Sequence, residues 1–190
     1  MNSQAPIPRS RYLLFFCLAI GGCLLDLWTK HVMFAWQKLS QGGIHWVIDG
    51  VAGFQTSLNE GALFGMGQGG QFWFALLSVM AAIAIPVWLF RYGHAHDLWM
   101  TATLGGISGG VLGNLYDRAG LHGLVWGIDW PSAPERFNQP IYAVRDWILL
   151  QASNDLRWPN FNIADALLVC GAATLFVRAL REPTASDGDA

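Results

Sequence analysis

Four stretches of the chain stay apolar long enough to cross a ~30 Å hydrocarbon core: about residues 12–36, 72–90, 98–116 and 162–180. The first is interrupted by Asp26 and Lys30, which are four positions apart, share one helical face and can pair. As an isolated pair they are expected to snorkel to the interface along their stems. Pro86 lies inside the second, where membrane helices tolerate it. The third is glycine-rich: Gly105, Gly109 and Gly113 recur every fourth position, as do Gly106 and Gly110. Such a stripe lets a neighbouring helix approach closely and predicts the packed centre of a bundle. At its end Asn114, Asp117 and Arg118 share a face. Before the fourth stands Trp158-Pro159-Asn160-Phe161-Asn162-Ile163-Ala164-Asp165, which puts a carboxylate where a helix enters lipid. That position is unfavourable, by roughly 2.5–3.5 kcal/mol at a bilayer centre and less near the interface, and is usually kept for a function. Asn162 three residues before Asp165 also fits a plain helix start, a polar cap with an acid in the first turn.

The segments between these runs differ in period. His45–Ile48 and Gly53–Leu58 read as short strands joined by the turn signal Asp49-Gly50. This loop ends in Asn59-Glu60-Gly61-Ala62-Leu63-Phe64-Gly65, where small residues allow close backbone approach. A second long segment, 119–161, contains Tyr142 to Leu150, apolar enough to lie in the interface plane as a helix. The chain is thus expected to be a mainly α membrane protein. It would be one domain over 1–190: a four-transmembrane-helix bundle with a small extramembrane β element and an interfacial helix. Loops at 37–71 and 119–161 stand outside the membrane, and the polar tail 182–190 is expected to be disordered.

Composition agrees: 53% hydrophobic residues against 13% charged is too apolar for an ordinary soluble chain. Several of the ten tryptophans, including Trp28, Trp36, Trp73, Trp99 and Trp158, lie near the ends of apolar runs, as headgroup-level side chains do. A net charge of −2 without a basic cluster excludes nucleic acid as a partner. Arg9, Arg11, Arg91, Arg178 and Arg181 flank the spans in short segments on one side, which predicts both termini in the cytoplasm and the long loops outside. Cys17, Cys23 and Cys170 lie inside apolar runs, with no disulfide or zinc spacing. Arg9 and Arg11 followed by Ile20-Gly21-Gly22-Cys23 imitate a lipoprotein leader. The apolar run continues past the cysteine, however, so a retained first helix is expected. His94 and His96 have no third ligand nearby and read as a solvated turn. No metal or other cofactor is expected.

The chemistry centres on a second carboxylate, Asp146, held against Asp165. Two carboxylates in close approach cannot both ionise freely, so their protons leave in separated steps, leaving one base and one acid near neutral pH. Aspartic proteases use such a pair to activate water. The positive end of the fourth helix favours Asp165 as the ionised member and leaves Asp146 as the proton carrier.

These residues resemble a known family, lipoprotein signal peptidase or signal peptidase II, a four-helix aspartic protease of the bacterial cytoplasmic membrane. The likeness rests on Asp26 with Lys30, on Asn59-Glu60-Gly61-Ala62-Leu63-Phe64, and on Gly109-Gly110-Val111-Leu112-Gly113-Asn114-Leu115-Tyr116-Asp117-Arg118. It rests also on Val144-Arg145-Asp146-Trp147 and on Phe161-Asn162-Ile163-Ala164-Asp165. It implies cleavage of the signal peptide of a diacylglyceryl-modified prolipoprotein just before its lipidated cysteine, by Asp146 and Asp165, at the outer face. It implies supporting roles for Asn59, Gly61, Asn114, Arg118 and Asn162 toward substrate or dyad, and a structural role for Asp26 and Lys30. The partners it implies are the prolipoprotein and membrane lipid, with the enzyme expected as a monomer. For Asn114 and Asp117 a buried tie between helices is an equal alternative. One departure stands out: Leu121 to Ile141 looks like an insertion, and it contains Asp129 in Gly127-Ile128-Asp129-Trp130, a rival to Asp146. The spacing to Asp165 favours Asp146. Competing functions are a non-catalytic transporter or assembly factor with buried aspartates, and an enzyme acting on lipid phosphate, which would want a basic cluster that the chain lacks.

Overall fold

The computed structural model describes residues 5–36, 39, 43–61, 70–128, 130, 134–153 and 156–181. Four long helices stand among them: α1 Arg9–Ala35, α2 Gln71–Arg91, α3 Leu98–Arg118 and α4 Ile163–Arg181. Each coincides closely with one apolar run, and α1 passes unbroken through Cys23. By length and composition α1, α2 and α4 are apolar enough to cross a membrane. α3 is as long as α2, but its glycines and polar side chains lower its hydropathy, and it is the most buried of the four. It packs against α1, α2 and α4 together. Leu13, Phe16, Ile20, Leu24 and Trp28 form an exposed apolar stripe along α1, a surface suited to lipid rather than water.

The glycines explain how α3 reaches its centre. A Cβ on Gly105 or Gly109 would stand 3.0 Å from the carbonyl oxygen of Phe15 or Ala19, and one on Gly113 would stand 2.4 Å from Asp26 Oδ2. The fourfold stripe is therefore the contact with α1. Gly110 faces α4, where a Cβ would lie 2.6 Å from the Ala164 carbonyl oxygen.

The extramembrane element is one antiparallel sheet in the order β1 His45–Ile48, β2 Ala52–Asn59, β3 Val144–Ser153, β4 Leu156–Phe161. The first hairpin is the one expected from Asp49-Gly50. Tyr142 to Leu150 is not an interfacial helix: from Val144 onward it is β3, hydrogen-bonded to β2 on one side and β4 on the other. Its first half is buried on both faces, and a strand buried on both faces loses the alternation that would have marked it.

The stretch preceding β3 also folds. Val125 bridges Pro140, Trp126 exchanges backbone hydrogen bonds with Gln139 and Asn138, and a 3-10 turn, Pro134–Arg136, lies between them in sequence. Trp126, Ile141 and Ala143 are buried together, with Leu58 of β2 packed against them.

Candidate active site

Three elements converge on the site: the middle of the sheet, the C-terminal end of α3 and the first turn of α4. Register does the first part. Ser57 faces Asp146 and Asn59 faces Val144 across β2 and β3, so Asn59 and Asp146 are diagonal neighbours, and Asn59 hydrogen-bonds the Asp146 carboxyl. Phe161, the last residue of β4, lies opposite Ile148. The chain then passes through Asn162 into α4, which delivers Asp165 one turn later.

Asn162 caps that helix. Its Oδ1 accepts the Asp165 N–H at 2.9 Å, while Asp165 Oδ2 accepts the Asn162 N–H at 3.3 Å, a reciprocal capping box. The capping account of this stretch is thus correct, and it also orients the site. With its carbonyl committed, Asn162 turns its Nδ2 outward, donating at 2.6 Å to Asp146 Oδ1 and at 3.3 Å to Asn114 Oδ1. Asn114 is oriented from the other side. Its Oδ1 accepts from Lys30 Nζ at 2.9 Å, and an ammonium offers no acceptor, so the amide nitrogen must face away from it. That nitrogen donates to Asp165 Oδ1 at 2.8 Å. Asp165 therefore receives the amide of Asn114 and Asp146 that of Asn162 beside Asn59, and a bond links Asn114 to Asn162.

Below lies a dry ionic cluster. Lys30 Nζ stands 2.7 Å from Asp26 Oδ2 and 3.1 Å from Asp117 Oδ2. Arg145 Nε and Nη2 donate to Asp117 Oδ1 at 3.0 and 2.8 Å, and its backbone N–H donates to Asp117 Oδ2 at 2.9 Å. Asp26 Oδ1 accepts the Ala164 N–H at 2.9 Å, joining α1 to the start of α4. Asp26 and Lys30 are fully buried, which overturns the expectation that they snorkel to the interface. Two acids and two cations cancel within the cluster, and geometry of this quality is what offsets the desolvation of a buried pair. Asp117 acts as the tie between helix and strand, whereas Asn114 touches both the cluster and Asp165. The one sequence signal of Arg145's role is a basic residue beside an acid at the start of a largely apolar strand.

Arg118 completes the arrangement. Its Nη2 donates to the Gly61 carbonyl at 3.3 Å, its guanidinium stands 5.6 Å from the centre of the Phe74 ring, and its charge acts on Asp165 and Asp146. Gly61 also gives its N–H to Asn59 Oδ1 at 3.0 Å. Asp146 is almost wholly buried. That burial holds its carboxyl well above the usual carboxylate range, and the charge of Asp165 pushes the same way, against the donors Asn162 and Asn59 and the charge of Lys30. Asp129, and Ala62, Leu63 and Phe64 of the first motif, lie outside the described residues. Among the described residues no group of three His, Cys, Asp or Glu side chains is placed to hold a metal ion.

A family model described as signal peptidase (SPase) II matches residues 18–181. The chain belongs to the signal peptidase II family. A lipoprotein signal peptidase of Rhodopirellula baltica is 47% identical over 191 residues, covering 100% of this chain and 81% of that one. The lipoprotein signal peptidase of Anoxybacillus flavithermus is 30% identical, covering 87% of this chain and 84% of its own. A solved bacterial membrane enzyme superposes with a TM-score of 0.71 at 22% identity, covering 97% of this chain and 96% of that chain, which establishes a shared fold. Family membership and the apolar helices make this a bacterial membrane protein, and they favour a protease over the transporter or assembly-factor alternative.

Proposed function

We propose that the chain is an aspartic endopeptidase that removes signal peptides from diacylglyceryl-modified prolipoproteins. The observation that carries this reading is the pair of carboxylates, from β3 and α4, each bonded by asparagine side chains and both under the charge of Arg118. Asp165 serves as the base. It is the more accessible of the two and sits in the first turn of α4, where the helix dipole favours a negative charge. Asp146, held protonated by burial, serves as the acid. Asp165 takes a proton from water as the oxygen attacks the scissile carbonyl. Asp146 gives its proton to the developing oxyanion, and Arg118 and the asparagine amides steady the charge. Collapse of the tetrahedral intermediate sends a proton to the leaving amine of the lipidated cysteine. Asn59 and Gly61 form the neighbouring edge of the site, and Asp26 with Lys30 serves as its structural base.

The four helices are proposed to span the bilayer as a monomer, α3 included. Stacking of Tyr12 on Phe90 and pairing of Arg178 with Asp97 bring the start of α1, the end of α2 and the end of α4 to one side. Arg9, Arg11, Arg91, Arg178 and Arg181 follow these ends, so that side is cytoplasmic and the dyad faces outward. The test is cleavage of a purified lipid-modified prolipoprotein by the protein in detergent. Wild type should cleave with or without chelator, and Asp146→Asn and Asp165→Asn should not; a chelator-sensitive reaction, or an active Asp146→Asn, would overturn the reading.

A further inference from the structure

Among the described residues, the stretch between α3 and β3 reaches back to the edge of the site at Glu60. Glu60 lies between Asn59, which bonds Asp146, and Gly61, whose carbonyl is held by Arg118. Its carboxylate accepts from Arg136 in the 3-10 turn, through Nη2 to Oε1 and through Nη1 to Oε2 at 3.2 Å. Oε1 also accepts from Gln71 Nε2, at the start of α2, at 3.0 Å. The guanidinium of Arg136 lies over Trp126, 4.2 Å from its ring centre, and Trp126 belongs to the buried cluster leading into β3. Three separate parts of the chain therefore meet on one side chain.

We propose that Glu60 and Arg136 are positioning residues: a latch by which the 121–141 stretch fixes the Asn59-Gly61 edge against Asp146 and Arg118. The proposal rests on the peptidase reading for its kinetic consequence, though not for the latch itself. A bidentate guanidinium–carboxylate fork sets direction as well as distance. The Trp126 ring face holds the guanidinium in place, so the backbone at Asn59 and Gly61 is fixed from outside the site. Without the fork, Glu60 keeps the Gln71 contact alone among the described residues, and the Asn59 amide is no longer held toward Asp146.

The test uses full-length protein in detergent with Arg136→Ala, Arg136→Gln and the exchanged pair Glu60→Arg with Arg136→Glu. Gln71 can serve either polarity, because its amide carries a donor and an acceptor. Hydrogen exchange reads the latch without turnover: the Gly61 amide should exchange faster in Arg136→Ala and Arg136→Gln, and unchanged exchange overturns the proposal whatever the activity. Cleavage reads the consequence. A displacement of about 1 Å at the site predicts kcat/KM lower by about tenfold to a hundredfold, recovered to within about threefold in the exchanged pair. The basic limb of the pH profile should move upward in Arg136→Ala, because Asp146, the acid, loses a donor to its charged form. Faster exchange and a lower Tm with kcat/KM and pH profile unchanged would make the contact merely structural and overturn the proposal. Loss of the peptidase reading would look different: wild type inactive, or Asp146→Asn active, with the exchange result standing.

Discussion

The two ends of α3 carry the same chemistry in opposite surroundings. At its C-terminal end Asp117 meets Arg145 with both side chains almost wholly buried. At its N-terminal end Asp97 meets Arg178 with the pair about one-third exposed, at 32% and 34%. Asp97 also caps the helix, its Oδ1 accepting the Met100 N–H at 2.9 Å. Water and salt screen the exposed pair, which adds little; the buried one is joined to Lys30, Asp26 and Asn114 and is compensated only as a complete set. The ends also respond to pH with opposite signs. The Arg178 contact holds Asp97 below the usual carboxylate range, so its contribution is present above the unfolded pKa and is lost as pH falls. Burial holds Asp146 above that range, so stability is present below the unfolded pKa and is lost as pH rises. The proposed reactive centre thus stands at the end that opposes stability near neutral pH.

The sharpest break of that comparison is Asp146→Asn. Removing one partner of an acid–base pair should lower cleavage by about 10²- to 10⁴-fold. The same variant should melt higher than wild type at pH 8, with the difference shrinking toward pH 4, as thermal unfolding in detergent across pH would show. A variant both inactive and less stable at pH 8 would mean that the carboxylate is needed in its charged form for folding. Next in size is Lys30→Met, which leaves Asp26 and Asp117 facing each other with Arg145 as the remaining cation of the cluster. Loss of one partner from a buried ionic set should cost about 3–5 kcal/mol, read as a fall in Tm or in recovery of folded protein.

The helices were legible because lipid demands long apolar runs, and the first hairpin because Asp49-Gly50 marks a turn. The glycine stripe told of a close helix contact, and the structure adds which neighbour each row meets. β3 was misread because burial on both faces erases a strand's period, leaving a run that a helix could equally own. In the site, the meeting of Asp146 and Asp165 was legible through motifs. The contacts that orient it were not: Lys30 to Asn114, Ala164 N–H to Asp26 and Arg136 to Glu60 join residues far apart in the chain or use backbone groups, and neither leaves a local pattern. Asp26 and Lys30 show the same limit, since their spacing predicts the pair but says nothing of the acid and arginine that make burial tolerable.

A smaller effect separates two glycine positions of α3. Gly113→Ala would drive a Cβ into Asp26 Oδ2 and disturb the cluster, and overpacking of this kind costs about 1–3 kcal/mol. Gly106→Ala meets only Leu167 Cδ2, at 3.9 Å, so the ordinary helix preference for alanine should add up to about 1 kcal/mol. Opposite signs in Tm would place the close contact at Gly113, beside the buried cluster; equal signs would dissolve the distinction between the two positions.

The smallest effect belongs to Arg178→Gln. An ion pair this exposed contributes about 0–1 kcal/mol, and the helix keeps its cap because Asp97 still accepts from Met100. The expected change in Tm at neutral pH is therefore close to the limit of measurement, and it should vanish at high salt. At acid pH the variant should lose less stability than wild type, because the carboxylate no longer has a depressed pKa to give up. A large loss at neutral pH, insensitive to salt, would show that the Asp97 end is held together as tightly as the dyad end, and that burial is not what separates the two.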